Sequence, residues 1–395
     1  MKLLQAKLAQ YQEPQKAKAL GIYPYFREIE SEQDTEVYMH GKKVLMFGSN
    51  CYTGLVNDKR VHEAAIKAIQ KYGTGCAGSP FLNGTLDIHK KLERRLVDFV
   101  GKEDAMVYST GFGVNLGVVS TLTGRGDYII CDEQDHASII EGRRLSFSNY
   151  LKYKHNDMAS LEEQLKKCEP DRVKLIVTDG VFSMEGDVCN LPEICDLARK
   201  YKAAVMVDEA HSIGVFGEGG RGVCNHFGLS DEVDLIMGTF SKSFASLGGF
   251  IACDETITNF LRHHSRSYIF TASITPASTA AVDAALDIML NEPERQEQLW
   301  KVTHYALDGF RAMGCEIGNT STPIIPLYIR DQNKTFAITA ELLNEGIFVN
   351  PVVSPAVAPQ DTLIRYSLMA THTKEQVDFS LEKIQKVFRK YGVIK

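Results

Sequence analysis

The chain has 395 residues, of which 44% are apolar and 24% charged, and a formal net charge of −6. That balance belongs to soluble globular proteins and excludes disordered and fibrous classes. The length exceeds what one core fills, so a large domain and a smaller one are expected. An acidic chain lacks the basic surface a general nucleic-acid binder needs, which leaves room only for a local patch able to take the phosphates of a CoA group.

The first stretch, MKLLQAKLAQYQEPQKAKALG, is amphipathic and mixed in charge, without the unbroken apolar core of a secretion signal. No segment reaches the roughly 18 to 20 apolar residues of a membrane-spanning helix. Nine cysteines stand singly, with no C-x-x-C pair, a pattern that fits a reducing compartment and offers no structural zinc site. A cytoplasmic protein without a metal is expected, peripheral contact with a membrane surface being left open. Residues 1–55 read as an N-terminal segment.

Residues 56–290 read as the large domain. Between 104 and 253 the runs AMVYS, DYIICD, KLIVTDG, AAVMVDEAH, DLIMGTF and GGFIACD alternate with helix-length stretches. Continuous Val/Ile/Leu/Met runs of this kind are strands buried on both faces, which predicts an α/β domain with a mostly parallel central sheet and helices on both faces. A long amphipathic helix near 275–290 leads to residues 291–395. There, helical patterns at 294–313, 333–345 and 373–391 alternate with PIIPLYIR, IFVNPVV and LIRYSLM, as in a smaller C-terminal α+β domain.

Open α/β sheets place ligands at the carboxyl ends of their strands, and polar residues gather at those ends. In VMVDEAHS, Asp208 closes a strand and His211 follows. An aspartate buried there needs a partner for its charge; a protonated pyridine nitrogen would serve, as would a helix N-terminus or a metal. In MGTFSKSFASLGG, Lys242 sits in a hydroxyl-rich turn with Thr239, Ser241 and Ser243. Partial desolvation makes such an amine an imine-forming nucleophile, although an isolated turn lysine is usually only a solvated one. In YSTGFGVNLG a strand runs into Gly111 and a helix begins, which creates a phosphate site or merely a turn. His136 in DEQDHASI could lie flat on an aromatic cofactor and hold a substrate carboxylate, or fill a structural role. Arg365, inside the apolar LIRYSL, calls for a carboxylate, either from the protein or from an amino acid.

Taken together, FGSNCYTGL, GTGCAGSPFLNGTLDIHKKLE, YSTGF, DHASII, DGVFSMEGD, VDEAHSIGVFG, GTFSKSFASLGG and LIRYSLMATHT resemble the α-oxoamine synthases. These are fold-type I transferases dependent on pyridoxal 5'-phosphate (PLP), with the aspartate aminotransferase-like fold. The resemblance runs from about residue 20 to the C-terminus. It implies PLP held by Lys242 as a Schiff base, His136 stacked on its ring and Asp208 on its pyridine nitrogen. His211 and Ser183 would meet its phenolic oxygen. Gly111 and Phe112 N–H groups with Thr239 and Ser241 would hold its phosphate, and Thr271 and Ala272 would reach the phosphate of the other subunit, placing the active site at a homodimer interface. Asn50 and Arg365, with His136, would meet the amino-acid substrate.

The stretches QDTEV, KVLMFGSN, SMEGD, GTFSKS and VNPVVSPAV look closest to soluble homodimeric bacterial members that condense L-serine with a long-chain acyl-CoA. Glycine with acetyl-CoA, and alanine with a pimeloyl thioester, are the alternatives within the family. A non-catalytic PLP-binding partner subunit is the alternative of another class, but this chain keeps Lys242, Asp208, His136 and His211. One departure is Pro80 in GSPFLNGT, where those members usually carry arginine; proline removes a charge and a backbone donor together, so no role of that arginine is transferred.

Overall fold

In the computed structural model, which describes residues 2–395, the chain forms two compact units. One is Asn50–Trp300, and the other joins the segment ending at Ser49 to Lys301–Lys395. The boundaries expected at 55/56 and 290/291 therefore fall at 49/50 and 300/301, and the N-terminal segment folds with the C-terminal part. Strand pairing explains this grouping. Strands β1 (Glu36–Met39) and β2 (Lys42–Met46) form a hairpin whose turn residues, His40 and Gly41, both have positive φ (49° and 70°), the twist that two-residue hairpin turns require. The strand β2 then pairs in parallel with Ile347–Phe348 from near the other end of the sequence.

The Asn50–Trp300 unit is built on a seven-stranded sheet. In chain order its strands are β3 (Asp104–Tyr108), β4 (Tyr128–Asp132), β5 (Asn149–Tyr153), β6 (Lys174–Asp179), β7 (Ala204–Asp208), β8 (Leu235–Thr239) and β9 (Gly249–Cys253). They lie side by side as β3-β9-β8-β7-β6-β4-β5. Only β9 runs against its two neighbours; the other pairings are parallel. Every residue of β4, β6, β8 and β9 is buried, whichever way it points, so both sheet faces are covered. Side chains such as Met106, Val118, Ile129, Val177, Met206 and Ile251 form one core, each contributing about 1.5–3 kcal/mol by leaving water.

Register carries the consequence for function. Asp179 pairs with Asp208, Asp208 with Met237, and Gly249 with both Thr239 and Tyr108. The carboxyl ends of β3, β6, β7 and β8, and the reversed start of β9, thus share one edge. Helix Gly111–Leu122 starts at that edge, its N-cap Thr110 accepting the Gly113 N–H at 2.9 Å.

In the other unit, Leu363–Ser367 is the buried middle strand between Ile324–Tyr328 and Asn350–Val352, both antiparallel to it. Helices Gln332–Asn344 and Lys374–Lys390 accompany this sheet. Among the described residues, no helix is long and apolar enough to cross a membrane.

Candidate active site

Asp208 ends β7 as a buried carboxylate. Its Oδ2 accepts from Asn115 Nδ2 at 2.6 Å and its Oδ1 from the Ala210 N–H at 2.9 Å. Both donors are neutral, so they hold the carboxylate in place without cancelling its charge. Asn115 lies on helix Gly111–Leu122, one turn in from its start, and its amide also donates to Ser138 Oγ at 2.8 Å. That bond ties Asp208 to the next helix, Ala137–Leu145, whose N-cap is His136.

His136 sits at this junction with an open face. Its backbone N–H donates to Asp179 Oδ2 at 2.7 Å, and its Nδ1 accepts the Ser138 N–H at 3.2 Å. With Nδ1 an acceptor, the ring proton belongs on Nε2. Burial lowers the imidazole's pKa below its ordinary value; the Asp208 charge opposes this shift and the Lys242 ammonium adds to it. One ring therefore feels both of the groups expected to anchor the cofactor. Behind it, Asp179 donates its N–H to Asp135 Oδ1 at 3.1 Å. Burial raises the pKa of Asp179 and Asp135 well above the carboxylate range, reinforced by Asp208 for the first and by Asp179 for the second.

A close approach of backbones forms the second part of the site. A Cβ at Gly111 would lie 2.6 Å from Thr239 Oγ1, and one at Gly249 would lie 2.8 Å from the Gly111 Cα. Only glycines let the helix start, β8 and β9 meet this closely. Thr239 Oγ1 and Ser241 Oγ are 3.0 Å apart beside that start. The first N–H groups of a helix lack partners within it. Thr110 takes those of Gly113 and Val114, which leaves the Gly111 and Phe112 N–H groups and the positive end of the helix beside two hydroxyls, a cradle for an anion.

Lys242 is half-buried in the turn after β8. Its neighbour Ser243 donates to the Ile213 carbonyl at 2.6 Å, and Thr53 donates to the Ser243 carbonyl at 2.5 Å, so the lysine turn is fastened to the loop that follows Asp208. In that loop His211 is buried, with Nδ1 2.7 Å from Tyr52 Oη. Ser183 is half-buried in the turn after β6. Asn50 Oδ1 is buried and makes no hydrogen bond. Thr271 and Ala272 are exposed, and the Ala272 carbonyl accepts from Ser109 just ahead of the helix start. Arg365 belongs to the other unit, where it is buried and donates to Ser367 Oγ at 2.6 Å. Pro80 offers its carbonyl to Thr85 Oγ1 at 2.7 Å.

Sequence reasoning missed Asn115, Ser138, Asp179 and Tyr52. None of them carried a signal of its own: Asn115, for example, shares its helix with Ser120 and Thr121.

A family model described as aminotransferase class I and II matches residues 42–384. The chain belongs to that family. It is 66% identical over 389 residues to the serine palmitoyltransferase of Bacteroides thetaiotaomicron, spanning 98% of this chain and 99% of that one. To the 8-amino-7-oxononanoate synthase of Petrotoga mobilis it is 43% identical over 385 residues, spanning 97% and 98%. Among solved structures, serine palmitoyltransferase from S. paucimobilis with a bound PLP–myriocin aldimine superposes with a TM-score of 0.97 at 35% identity, covering 100% of both chains. Within the class I and II aminotransferases, the chain thus has the fold-type I architecture and the α-oxoamine synthase character expected from its motifs.

Proposed function

We propose that the chain is a PLP-dependent serine palmitoyltransferase, converting L-serine and palmitoyl-CoA to 3-oxosphinganine, CoA and CO2, the first committed chemistry of a sphingolipid. What carries the reading is that the His136 ring feels the charges of both Asp208 and Lys242, while Gly111 begins an anion cradle at the same edge of the sheet. The residues fit PLP in kind: a cradle a Cβ would fill, a buried carboxylate held by neutral donors, and the buried, unbonded Asn50 Oδ1.

In this reading Lys242 Nζ would hold the cofactor's aldehyde, and Asp208 would keep its pyridine nitrogen protonated. Gly111 and Phe112 N–H groups, with Thr239 and Ser241, hold its phosphate. His211 and Ser183 face its phenolic oxygen. When bound, PLP supplies the electron sink that stabilises negative charge at the substrate's Cα. Lys242 Nζ would be the base that takes the substrate's Cα proton and later returns it. His136 would stack on the cofactor ring and offer Nε2–H to the substrate carboxylate, while Asn50 and Arg365 would orient the amino acid. Thr271 and Ala272 serve the phosphate of a second subunit, which makes the enzyme a homodimer. The single cysteines suit a cytoplasmic location, and peripheral contact with a membrane surface belongs to the same reading.

Substrate choice rests on likeness to relatives of that name, 66% identical against 43% for an oxononanoate synthase. Thiol release measured with PLP and each pairing tests it. Serine with palmitoyl-CoA is expected to exceed glycine with acetyl-CoA and alanine with pimeloyl-CoA; silence with serine and turnover with either of the others would reassign the substrate.

A further inference from the structure

A second charged cluster lies at the carboxyl ends of β4 and β5 and takes no part in the chemistry above. His155, just after β5, stands between two carboxylates, its Nδ1 3.0 Å from Asp132 Oδ1 and its Nε2 2.9 Å from Asp187 Oδ2. Carboxylates only accept, so both ring nitrogens donate and the ring is an imidazolium. Asp132 is fully buried and receives two further donors, Gln134 N–H and Asn156 N–H, each at 2.9 Å. Asn156, held at φ 50°, donates to Asp187 Oδ2 and to the Val188 carbonyl, both at 3.0 Å. The imidazole edge meets Phe182 with ring centroids 4.4 Å apart and planes at 88°. Burial alone would lower the His155 pKa, but the two carboxylates lift it to about 10. The other charged groups facing it are Glu133, which accepts the His155 N–H at 3.3 Å and pairs with Lys152, and the half-buried Glu185.

The two clamped carboxylates belong to different segments. Asp132 opens the turn that ends in His136. Asp187 closes the small loop bridged by Val181 and Val188, which carries Ser183. We infer that His155 is a positioning residue, whose imidazolium clamps the His136 turn to the Ser183 loop and so sets where those two side chains meet the cofactor. The inference rests on the PLP reading above. A neutral side chain in its place would leave a fully buried carboxylate without a counter-charge, and the two segments would separate to let in water.

The test is absorbance titration of the apo-protein with PLP, alongside melting of the apo-protein, for wild type, His155→Gln, Asp187→Asn and the double variant. His155→Gln is expected to weaken PLP binding about tenfold, and Asp187→Asn by roughly threefold. The double variant should bind PLP about as weakly as His155→Gln alone, because both changes break one clamp and the buried Asp132 carboxylate still lacks its cation. A His155→Gln protein that melts earlier yet binds PLP within about twofold of wild type would overturn the inference, because a merely structural residue behaves so. Should that variant not fold, Asp187→Asn decides, unchanged PLP affinity again counting against the clamp. Wild type failing to bind PLP would instead reject the proposed function.

Discussion

Asp132 and Asp208 end strands of the same sheet, both buried, yet their charges are met differently. Asp132 meets a cation of its own chain: His155 sits on it and shares its charge with Asp187. Asp208 is met by an amide side chain and a backbone N–H, both neutral. A buried carboxylate compensated from within serves the scaffold, since breaking the pair costs several kcal/mol and gains nothing at a ligand. A carboxylate steadied by dipoles keeps its field for something that arrives. Under the proposed function, the difference separates a residue that holds the site together from one that acts in it.

The sharpest way to break this contrast is to remove one charge at a time without changing shape. Asp208→Asn is expected to lower kcat/KM by roughly 10³-fold or more while leaving the melting temperature nearly unchanged; Asp132→Asn should do the reverse, melting several degrees lower with most activity retained once PLP is saturating. Equal effects on both readouts would erase the distinction. Next in size, His136→Phe keeps a flat ring but deletes Nε2–H, and a loss of about 10²-fold in kcat/KM for serine is expected with PLP still bound.

A smaller effect follows from titration. The ordinary histidine value of 6.5 rises to about 10 for His155 in the fold. A raised folded-state pKa means that the native protein binds the extra proton, so the contribution is complete below about pH 6.5 and is lost as pH climbs towards 10. The melting temperature of wild type should therefore fall across that window more steeply than that of His155→Gln. Parallel curves would show that the imidazolium does not contribute. Smallest of all, Thr110→Ala removes the cap of helix Gly111–Leu122 and should lower stability by about 1 kcal/mol in denaturant titration.

Much of the scaffold could be read from the chain because long apolar runs bounded by polar turns have few alternatives. Six of the seven strands of the main sheet follow those runs, and helices expected at 275–290, 294–313, 333–345 and 373–391 form at Pro276–Asn291, Pro293–Ala312, Gln332–Asn344 and Lys374–Lys390. The exception, β5, reads NYLKY and keeps several residues partly exposed at the sheet edge, so it lacks the signature of a doubly buried strand. The reversed direction of β9 left no trace in composition. At the site, Asp208, Lys242, His136 and Gly111 stood out as polar or glycine residues ending apolar runs. Their supports did not, because each acts far along the chain: Asn115 on Asp208, Asp179 on His136, Tyr52 on His211. The joining of both chain ends into one unit depends likewise on pairing between β2 and Ile347–Phe348, which local pattern does not encode.

Borohydride reduction of the PLP-loaded protein followed by peptide mapping tests the central claim most directly. A pyridoxyl group on Lys242, absent after Lys242→Ala, is the expected result. Reduction that labels another lysine, or none while the cofactor remains bound, would contradict it.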